Sequence, residues 1–286
     1  MGRSGSSFLG GLLNSQKHVF YVFEPLHDIQ GQHRLNRATA IEALRGIFTC
    51  QVNKDIMTFF KSNPRFAIKQ YFGECARKPS CLSASAINAA CYRKTIRVVK
   101  TIRTRVSWLE DLLDDLEANV KVIHLLRDPR ASIISGWGRG WTIKASVSCN
   151  DIQNDVTSGF QLSKQYADKY MAVRYEDLCD NPWGLAKHIF AFLGYSSLPD
   201  STIRFLKTST SSISEGAYSI RRNTRRMQQK WRSIISEKDL TEIESICSPV
   251  ISMLGFHVFR DIQNVRNYSK PLYNDNYKNT LFKYDI

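Results

Sequence analysis

Four short runs of β-branched and aromatic residues, separated by longer segments with helical spacing, constrain the fold of this chain most strongly. The runs occupy positions 19–23, 96–99, 120–126 and 171–175. Runs of this kind are typical of buried parallel strands, and the helices between them provide the crossover connections. The alternation predicts an α/β fold with a mostly parallel sheet flanked by helices, in which ligands bind at the carboxyl ends of the strands.

The chain has 286 residues, a length that fits one large domain. We assign residues 1–263 to this domain and residues 264–286 to a polar C-terminal tail. Asn181-Pro182 and the pair Ser236 and Asp239 are typical of helix starts. The stretch 208–219 is rich in Ser, Thr and Gly, which predicts a mobile surface loop.

Seven cysteines limit the choice of compartment and of cofactor. They form no CxxC pair and no Cys/His spacing suited to zinc, so we expect no metal site. The number fits either a reduced cytosolic enzyme or a lumenal one with two or three disulfides of undetermined connectivity. The glycosylation sequon at Asn267 favours the lumen. No apolar run approaches the roughly 20 residues that a spanning helix needs.

The first motif that indicates chemistry is Gly-Arg-Ser-Gly-Ser-Ser-Phe at positions 2–8, followed by leucines at helical spacing. Glycine lets the backbone approach an anion, the serines donate hydrogen bonds, and a helix N-terminus adds partial positive charge. The motif predicts a phosphate-binding loop, with Arg3 as its cation. It lacks the lysine of the Mg²⁺-dependent loop of kinases and GTPases. A plain turn that caps a helix is the alternative interpretation.

The second motif is the run at positions 122–135, an apolar strand that continues into Arg-Asp-Pro-Arg-Ala-Ser. The strand delivers Arg127 to its carboxyl end, and Ser132 and Ser135 fall on one face of the following helix. A guanidinium beside serine hydroxyls is suited to a second phosphate. Alternatively, Asp128 and Arg130 only cap the helix.

In this order the two motifs resemble the 5′-phosphosulfate loop and the 3′-phosphate motif of the Golgi carbohydrate 6-O-sulfotransferases acting on galactose, N-acetylgalactosamine or N-acetylglucosamine. The closest resemblance is to keratan sulfate and chondroitin 6-sulfotransferases. It continues in Phe-Tyr-Val-Phe-Glu-Pro-Leu at 20–26, Val-Arg-Tyr-Glu-Asp-Leu at 173–178, Ala-Phe-Leu-Gly at 191–194, and Arg-Asn-Thr at 222–224 with Trp231 following. The resemblance covers nearly the whole chain and implies the P-loop-like sulfotransferase fold.

The resemblance implies a site for 3′-phosphoadenosine 5′-phosphosulfate (PAPS), the sulfuryl donor, without a metal. Arg127 and Ser135 are expected to bind the 3′-phosphate together with Ser132, and Arg222 lies in a segment that covers the nucleotide in relatives. Arg221, Arg225 and Arg226 are expected to form a solvated basic face or to contact an acidic glycan. The residues expected to hold the 5′-phosphosulfate are Arg3, Ser4, Gly5, Ser6, Ser7 and Phe8.

Glu24 is the candidate general base, because it directly follows an apolar strand and a carboxylate there can receive the proton of a sugar hydroxyl. His27 is its competitor, since imidazole titrates near neutral pH. An ion-paired or helix-capping carboxylate is the alternative for Glu24. Lys100 and Arg3 are the candidate cations for the sulfuryl oxygens, and Arg103 is a candidate for binding substrate anions; Lys100 and Arg103 are alternatively surface cations.

The predicted function is transfer of a sulfuryl group from PAPS to a sugar 6-hydroxyl of a glycosaminoglycan or glycoprotein glycan. The formal charge of +14 agrees with an acidic glycan acceptor. The alternatives are a catalytically inactive relative and, since charge alone does not choose among polyanions, a basic nucleic-acid-binding protein, although no binding motif for nucleic acid is present.

The resemblance places the full-length protein in the Golgi lumen as a type II membrane protein. Family members carry an apolar strand directly before the phosphate loop, whereas this sequence begins at Met1 and Gly2. We therefore expect the first strand of the sheet, the stem and the membrane anchor to be missing from this chain.

Overall fold

The computed structural model describes residues 2–63, 82–210, 224–273 and 281–284. The chain divides into two compact units. The N-terminal unit comprises Ser7–Val120 and Pro199–Phe205, and the C-terminal unit comprises Met1–Ser6, Lys121–Leu198 and Leu206–Ile286. A single domain over residues 1–263, followed by a tail, remains a prediction.

The N-terminal unit is built on one parallel pair of strands. Val19 lies opposite Ile96, and Phe23 lies opposite Lys100, the last residue of its strand. Helix starts follow local capping chemistry, since Asn36 and Asn53 accept hydrogen bonds from backbone amides of the helices that follow them. The elements are α1 (Ser6–Leu13), β1 (Val19–Phe23), α2 (His27–Gly31), α3 (Arg37–Phe48), α4 (Lys54–Ser62), α5 (Ala84–Tyr92), β2 (Ile96–Lys100) and α6 (Glu110–Leu113).

The C-terminal unit contains the second parallel pair, in which Val122 lies opposite Tyr170 and Leu126 lies opposite Arg174. The helices that follow β3 and β4 begin almost directly after the strands. The elements are β3 (Val122–Leu126), α7 (Pro129–Trp137), α8 (Ala145–Gln165), β4 (Tyr170–Arg174), α9 (Tyr175–Asp180), α10 (Pro182–Phe192), α11 (Asp200–Thr210, which begins in the N-terminal unit), α12 (Thr224–Ile234), α13 (Glu237–Met253) and α14 (Ile262–Arg266).

The sequence prediction of parallel strands and of two helix starts is confirmed. Asn181 caps α10 with Pro182 in its first turn, and the Ser236 side chain accepts a hydrogen bond from the amide of Asp239 at the start of α13. The prediction that all four strands are buried is wrong in part. All residues of β2 and all of β3 except Leu126 are half-buried, whereas β1 and β4 are mostly buried although each of them is also paired with a single described strand.

The predicted loop at 208–219 begins too early. Helix α11 continues to Thr210, because Leu206 and Ser209 are both buried and lie almost one turn apart. The remainder of this stretch, 211–219, lies outside the described residues.

Residues beyond 263 pack onto the C-terminal unit where they are described. Leu272 and Leu281 are buried. The hydroxyl of Tyr273 donates to Asp180 at 2.6 Å, and that of Tyr284 donates to Asp177 at 2.8 Å. These contacts make this part of the chain a component of the packed unit. Among the described residues, no helix combines the length and apolar character needed to cross a bilayer.

The described residues include two disulfides, one in each unit. Cys50 pairs with Cys91, and Cys149 of α8 pairs with Cys247 of α13 across a sequence separation of 98 residues. Cys179 is buried and takes part in neither of them. The pairing agrees with the lumenal interpretation of the seven cysteines, because disulfides persist in oxidising compartments.

We expect the double variant Cys149→Ser/Cys247→Ser to unfold with a free energy about 2–5 kcal/mol below that of the wild type. A cross-link over a loop of this length restricts the unfolded chain strongly. Urea denaturation followed by circular dichroism measures the difference. Dithiothreitol is expected to destabilise the wild type more than the variant, and equal stability of the two oxidised proteins would contradict the assignment.

Candidate functional site

The predicted site residues follow the carboxyl ends of the paired strands. Glu24 directly follows β1, and its amide donates to the carbonyl of Lys100, the last residue of β2, at 2.7 Å. In the other unit, Arg127 follows β3 and Tyr175 follows β4. Each strand pair therefore presents chemically active side chains at the edge where ligands bind in α/β folds.

The predicted phosphate loop has a backbone conformation that suits close approach to an anion. Arg3 and Gly5 have positive φ angles of 64° and 85°. A side chain at position 5 would not fit, because an added Cβ atom would lie 2.2 Å from the ring of Tyr175. A positive φ at a non-glycine residue is strained, and such strain is common at functional sites. Ser4 is buried, and Ser6 is the first residue of α1.

The structure brings the two predicted phosphate motifs together. Nε of Arg3 donates to Oγ of Ser135 at 3.1 Å, and Nη1 of Arg127 donates to the carbonyl oxygen of Arg3 at 2.6 Å. The guanidinium of Arg127 also lies over the ring of Tyr175, 4.5 Å from its centroid. Residues far apart in the sequence thus form one cationic cluster, which we call the arginine cluster: Arg3, Arg127, Ser135 and Tyr175.

Two further donor atoms, one within this cluster and one next to it, are buried. Among the described residues, none provides a hydrogen-bond partner for Oγ of Ser132 or Nε of Arg127. Ser132 is only 2% exposed and lies in the first turns of α7, where backbone amides and the helix dipole favour an anion. Buried donors are normally satisfied, so these atoms are suited to a bound ligand with acceptor oxygens.

Arg130 has a different role from Arg127. It is fully buried, and its guanidinium binds the carboxylates of Asp128 and Glu244. It also lies 4.7 Å from the centroid of the Trp231 ring. Asp128 accepts a hydrogen bond from the amide of Arg130 as the N-cap of α7. The capping interpretation is therefore correct for Asp128, while Arg130 is a core residue.

In the N-terminal unit, Glu24 is held between two cations. Its carboxylate binds the ammonium group of Lys100 and the guanidinium of Arg103, and it accepts the amide of Ile102 at 3.3 Å. Glu24 is 6% exposed and has a positive φ of 56°. The ion-paired alternative for Glu24 thus describes this structure, and Arg103 acts here as a partner of Glu24. Lys100 is no surface cation, since its side chain is only 10% exposed.

His27, the competitor for the role of base, lies at the start of α2. Its Nδ1 atom is 2.8 Å from a carboxylate oxygen of Asp28, and its side chain is 56% exposed. This environment is that of a surface histidine. Glu24 is the better placed candidate, because it is buried and contacts both predicted cations of its unit.

The remaining predicted residues are less informative. Ser7 is half-buried in α1, and the ring of Phe8 packs against Phe205 with centroids 5.6 Å apart. Arg222 and Arg221 lie outside the described residues. Nothing is described of the side chains of residues 224–227, which include two further predicted arginines.

Sequence reasoning assigned no role to Tyr175 or Glu176. Tyr175 covers Gly5 and stacks on Arg127, and Glu176 is fully buried behind the turn that carries Arg127. Oε1 of Glu176 accepts the amide of Asp128 at 3.3 Å. Their position directly after β4, in register with Arg127 after β3, is the signal that identifies them.

Comparison with known proteins agrees with this geometry. A model of the sulfotransferase domain family matches residues 1–255. Carbohydrate sulfotransferase 1 of Homo sapiens is 27% identical over 94% of this chain and 81% of the relative, and that of Danio rerio is 26% identical over 96% and 80%. Carbohydrate sulfotransferase 3 of Mus musculus is 24% identical over 94% and 69%. The chain therefore belongs to the sulfotransferase domain family, and its α/β fold is the P-loop-like fold of that family.

Proposed function

We propose that this sulfotransferase uses PAPS to sulfate the 6-hydroxyl of galactose, N-acetylgalactosamine or N-acetylglucosamine in a glycosaminoglycan or glycoprotein glycan. The observation that carries the proposal is the arginine cluster, in which Arg3 of the first phosphate motif contacts Ser135 and Arg127 of the second. A ligand with phosphate groups at two separated positions matches two adjoining anion sites.

The chemistry of the donor set fits the nucleotide. Oγ of Ser132 and Nε of Arg127, which find no partner among the described residues, are suited to the oxygens of the 3′-phosphate. The loop amides between Arg3 and Ser6, where the backbone has positive φ, are suited to the 5′-phosphosulfate. The family and its relatives support a sulfuryl donor of this kind.

In the proposed reaction the oxygen of the sugar hydroxyl attacks the sulfur atom. The bond between sulfur and the bridging oxygen of the 5′-phosphate breaks, that oxygen keeps the electron pair, and the hydroxyl proton passes to the carboxylate of Glu24. Arg3, the loop amides and Lys100 stabilise the charge on the sulfuryl oxygens and the leaving phosphate. Such transfers depend mainly on positioning and on fixed cations.

The acceptor is proposed from the names of the relatives, which are carbohydrate sulfotransferases, and from charge. A chain with 40 basic and 26 acidic residues attracts a polyanionic glycan. The two disulfides fit an oxidising compartment. We therefore propose that the protein works in the Golgi lumen as a type II membrane protein.

Transfer of ³⁵S from labelled PAPS to a panel of desulfated glycans tests the proposal. We expect label in keratan or chondroitin acceptors, together with retention on immobilised 3′,5′-bisphosphoadenosine (PAP) at salt concentrations that elute the protein from DNA-cellulose. Retention on PAP without transfer would favour the catalytically inactive relative. Retention on DNA alone would overturn the proposal in favour of a nucleic-acid-binding protein.

A further inference from the structure

Glu176 has a buried carboxyl group that takes no part in the proposed reaction. It is the second residue of α9 and is 0% exposed. One oxygen accepts the amide of Asp128 at 3.3 Å, while none of the described residues offers a hydrogen-bond donor to the other, Oε2. A buried ionised carboxylate with so few partners is costly, so its protonation state depends on its surroundings.

The charged groups around Glu176 belong to the segments at the carboxyl ends of β3 and β4. Burial is the main reason that its pKa is raised, to about 8, while the positive charge of Arg127 opposes the shift and the negative charge of Asp128 adds to it. Its own segment contributes the titratable groups of Arg174, Tyr175 and Cys179. Helix α12 packs on α9, and its Gln228 donates a hydrogen bond to the carboxylate of Asp180 at the end of α9.

We propose that Glu176 is a positioning residue for binding of the sulfuryl donor. Its carboxyl group must be protonated for Arg127 to bind the 3′-phosphate with the full positive charge of the guanidinium. The inference rests on the proposed assignment of Arg127 to that phosphate. The geometry supports it, because Glu176 contacts the turn immediately after Arg127 and follows Tyr175, on which the guanidinium of Arg127 stacks.

The physical reason is competition for one cation. An ionised Glu176 would attract the guanidinium of Arg127 and repel the phosphate through a poorly screened interior. A protonated Glu176 does neither and keeps its hydrogen bond to the amide of Asp128. By thermodynamic linkage, donor binding in turn favours the protonated form of Glu176.

Dissociation constants for PAP, measured by calorimetry between pH 7 and pH 9, test this role. With a second pKa of about 6, the phosphates of PAP are already about nine-tenths ionised at pH 7 and gain little further charge up to pH 9, so a large change in affinity reports protein groups. We expect the wild-type dissociation constant to rise about tenfold, because a group with a pKa of about 8 loses its proton over this interval. The amide in the Glu176→Gln variant does not titrate. Its dissociation constant for PAP is therefore expected to lack this tenfold rise.

The matched control is Glu242→Gln, which makes the same change on the exposed face of α13 and should keep the wild-type profile. The wild type and the Glu176→Gln variant share the other groups that titrate in this range, such as the α-amino group. The difference between their two pH profiles therefore reports Glu176. An alkaline loss of affinity that persists in Glu176→Gln, or a flat wild-type profile, overturns the inference alone. Absence of PAP binding at every pH overturns the proposed function as well.

Discussion

The Glu24→Gln variant is expected to lose sulfuryl transfer by a factor of about 10²–10⁴ while binding PAP nearly as tightly as the wild type. Glutamine keeps the size of the side chain but accepts no proton from the sugar hydroxyl. The loss should appear in kcat, since the proposed base acts in the chemical step and lies outside the proposed phosphate sites. Single-turnover transfer of ³⁵S and PAP calorimetry measure the two quantities.

Ion pairing of Glu24 makes a control for folding necessary. Removing its charge leaves Lys100 and Arg103 without their shared carboxylate, which destabilises partly buried cations. Glu24→Asp keeps the charge but withdraws the carboxylate by one methylene, so it should fold and still turn over slowly. Glu42→Gln, an exposed change in the same unit, should retain full activity.

The same experiment separates the base from its alternatives. A parallel loss of turnover and PAP binding in Glu24→Gln and Glu24→Asp would show that Glu24 has a structural role only. The His27→Asn variant should keep a transfer rate within about twofold of that of the wild type. The imidazole of His27 is exposed and paired with Asp28, so it is poorly placed to accept a proton in a buried site. A large loss in His27→Asn would transfer the role of base to His27.

Local patterns in the sequence predicted much of the fold. Strand β1 has the predicted bounds, and the starts of α10 and α13 follow from Asn181 and Ser236, because capping depends on a few neighbouring residues. The disulfides were not predictable, since pairing depends on which helices pack together. The partial exposure of β2 and β3 was missed for a related reason, because a run of apolar residues does not reveal what packs against its two faces.

The candidate site was predictable as a set of residues, but its contacts were not. Order in the chain indicated that Arg3, Arg127 and Ser135 belong to one site, and the structure places them in contact. The contacts of Tyr175 with Arg127 and of Lys100 with Glu24 depend on register across strand pairs, which one strand alone does not encode. Two arginines three positions apart, Arg127 and Arg130, differ in burial in a way that no local pattern shows.

Because Arg127 and Arg130 differ in burial, we expect substitution of one to weaken ligand binding and substitution of the other to weaken folding. Arg127→Ala should weaken PAP binding by about 2–4 kcal/mol, roughly 30- to 1000-fold, because a charge-assisted contact to phosphate is lost. Its guanidinium is half-buried and contacts the carbonyl of Arg3, so the protein should stay folded. Arg130→Ala should instead lower the free energy of unfolding by about 3–5 kcal/mol, since it leaves the buried carboxylates of Asp128 and Glu244 without their cation.

Calorimetry with PAP and urea denaturation on both variants measure the two effects side by side. Arg127→Lys should recover part of the affinity, because the positive charge returns without the planar guanidinium. Arg130→Lys should recover little stability, since the three N–H donors of an ammonium group cannot replace the four hydrogen bonds that the guanidinium makes to Asp128, Glu244 and the carbonyl of His257. If Arg130→Ala remained stable but lost PAP, or Arg127→Ala unfolded while the residual folded protein bound PAP normally, the assignment of the 3′-phosphate to Arg127 would be wrong.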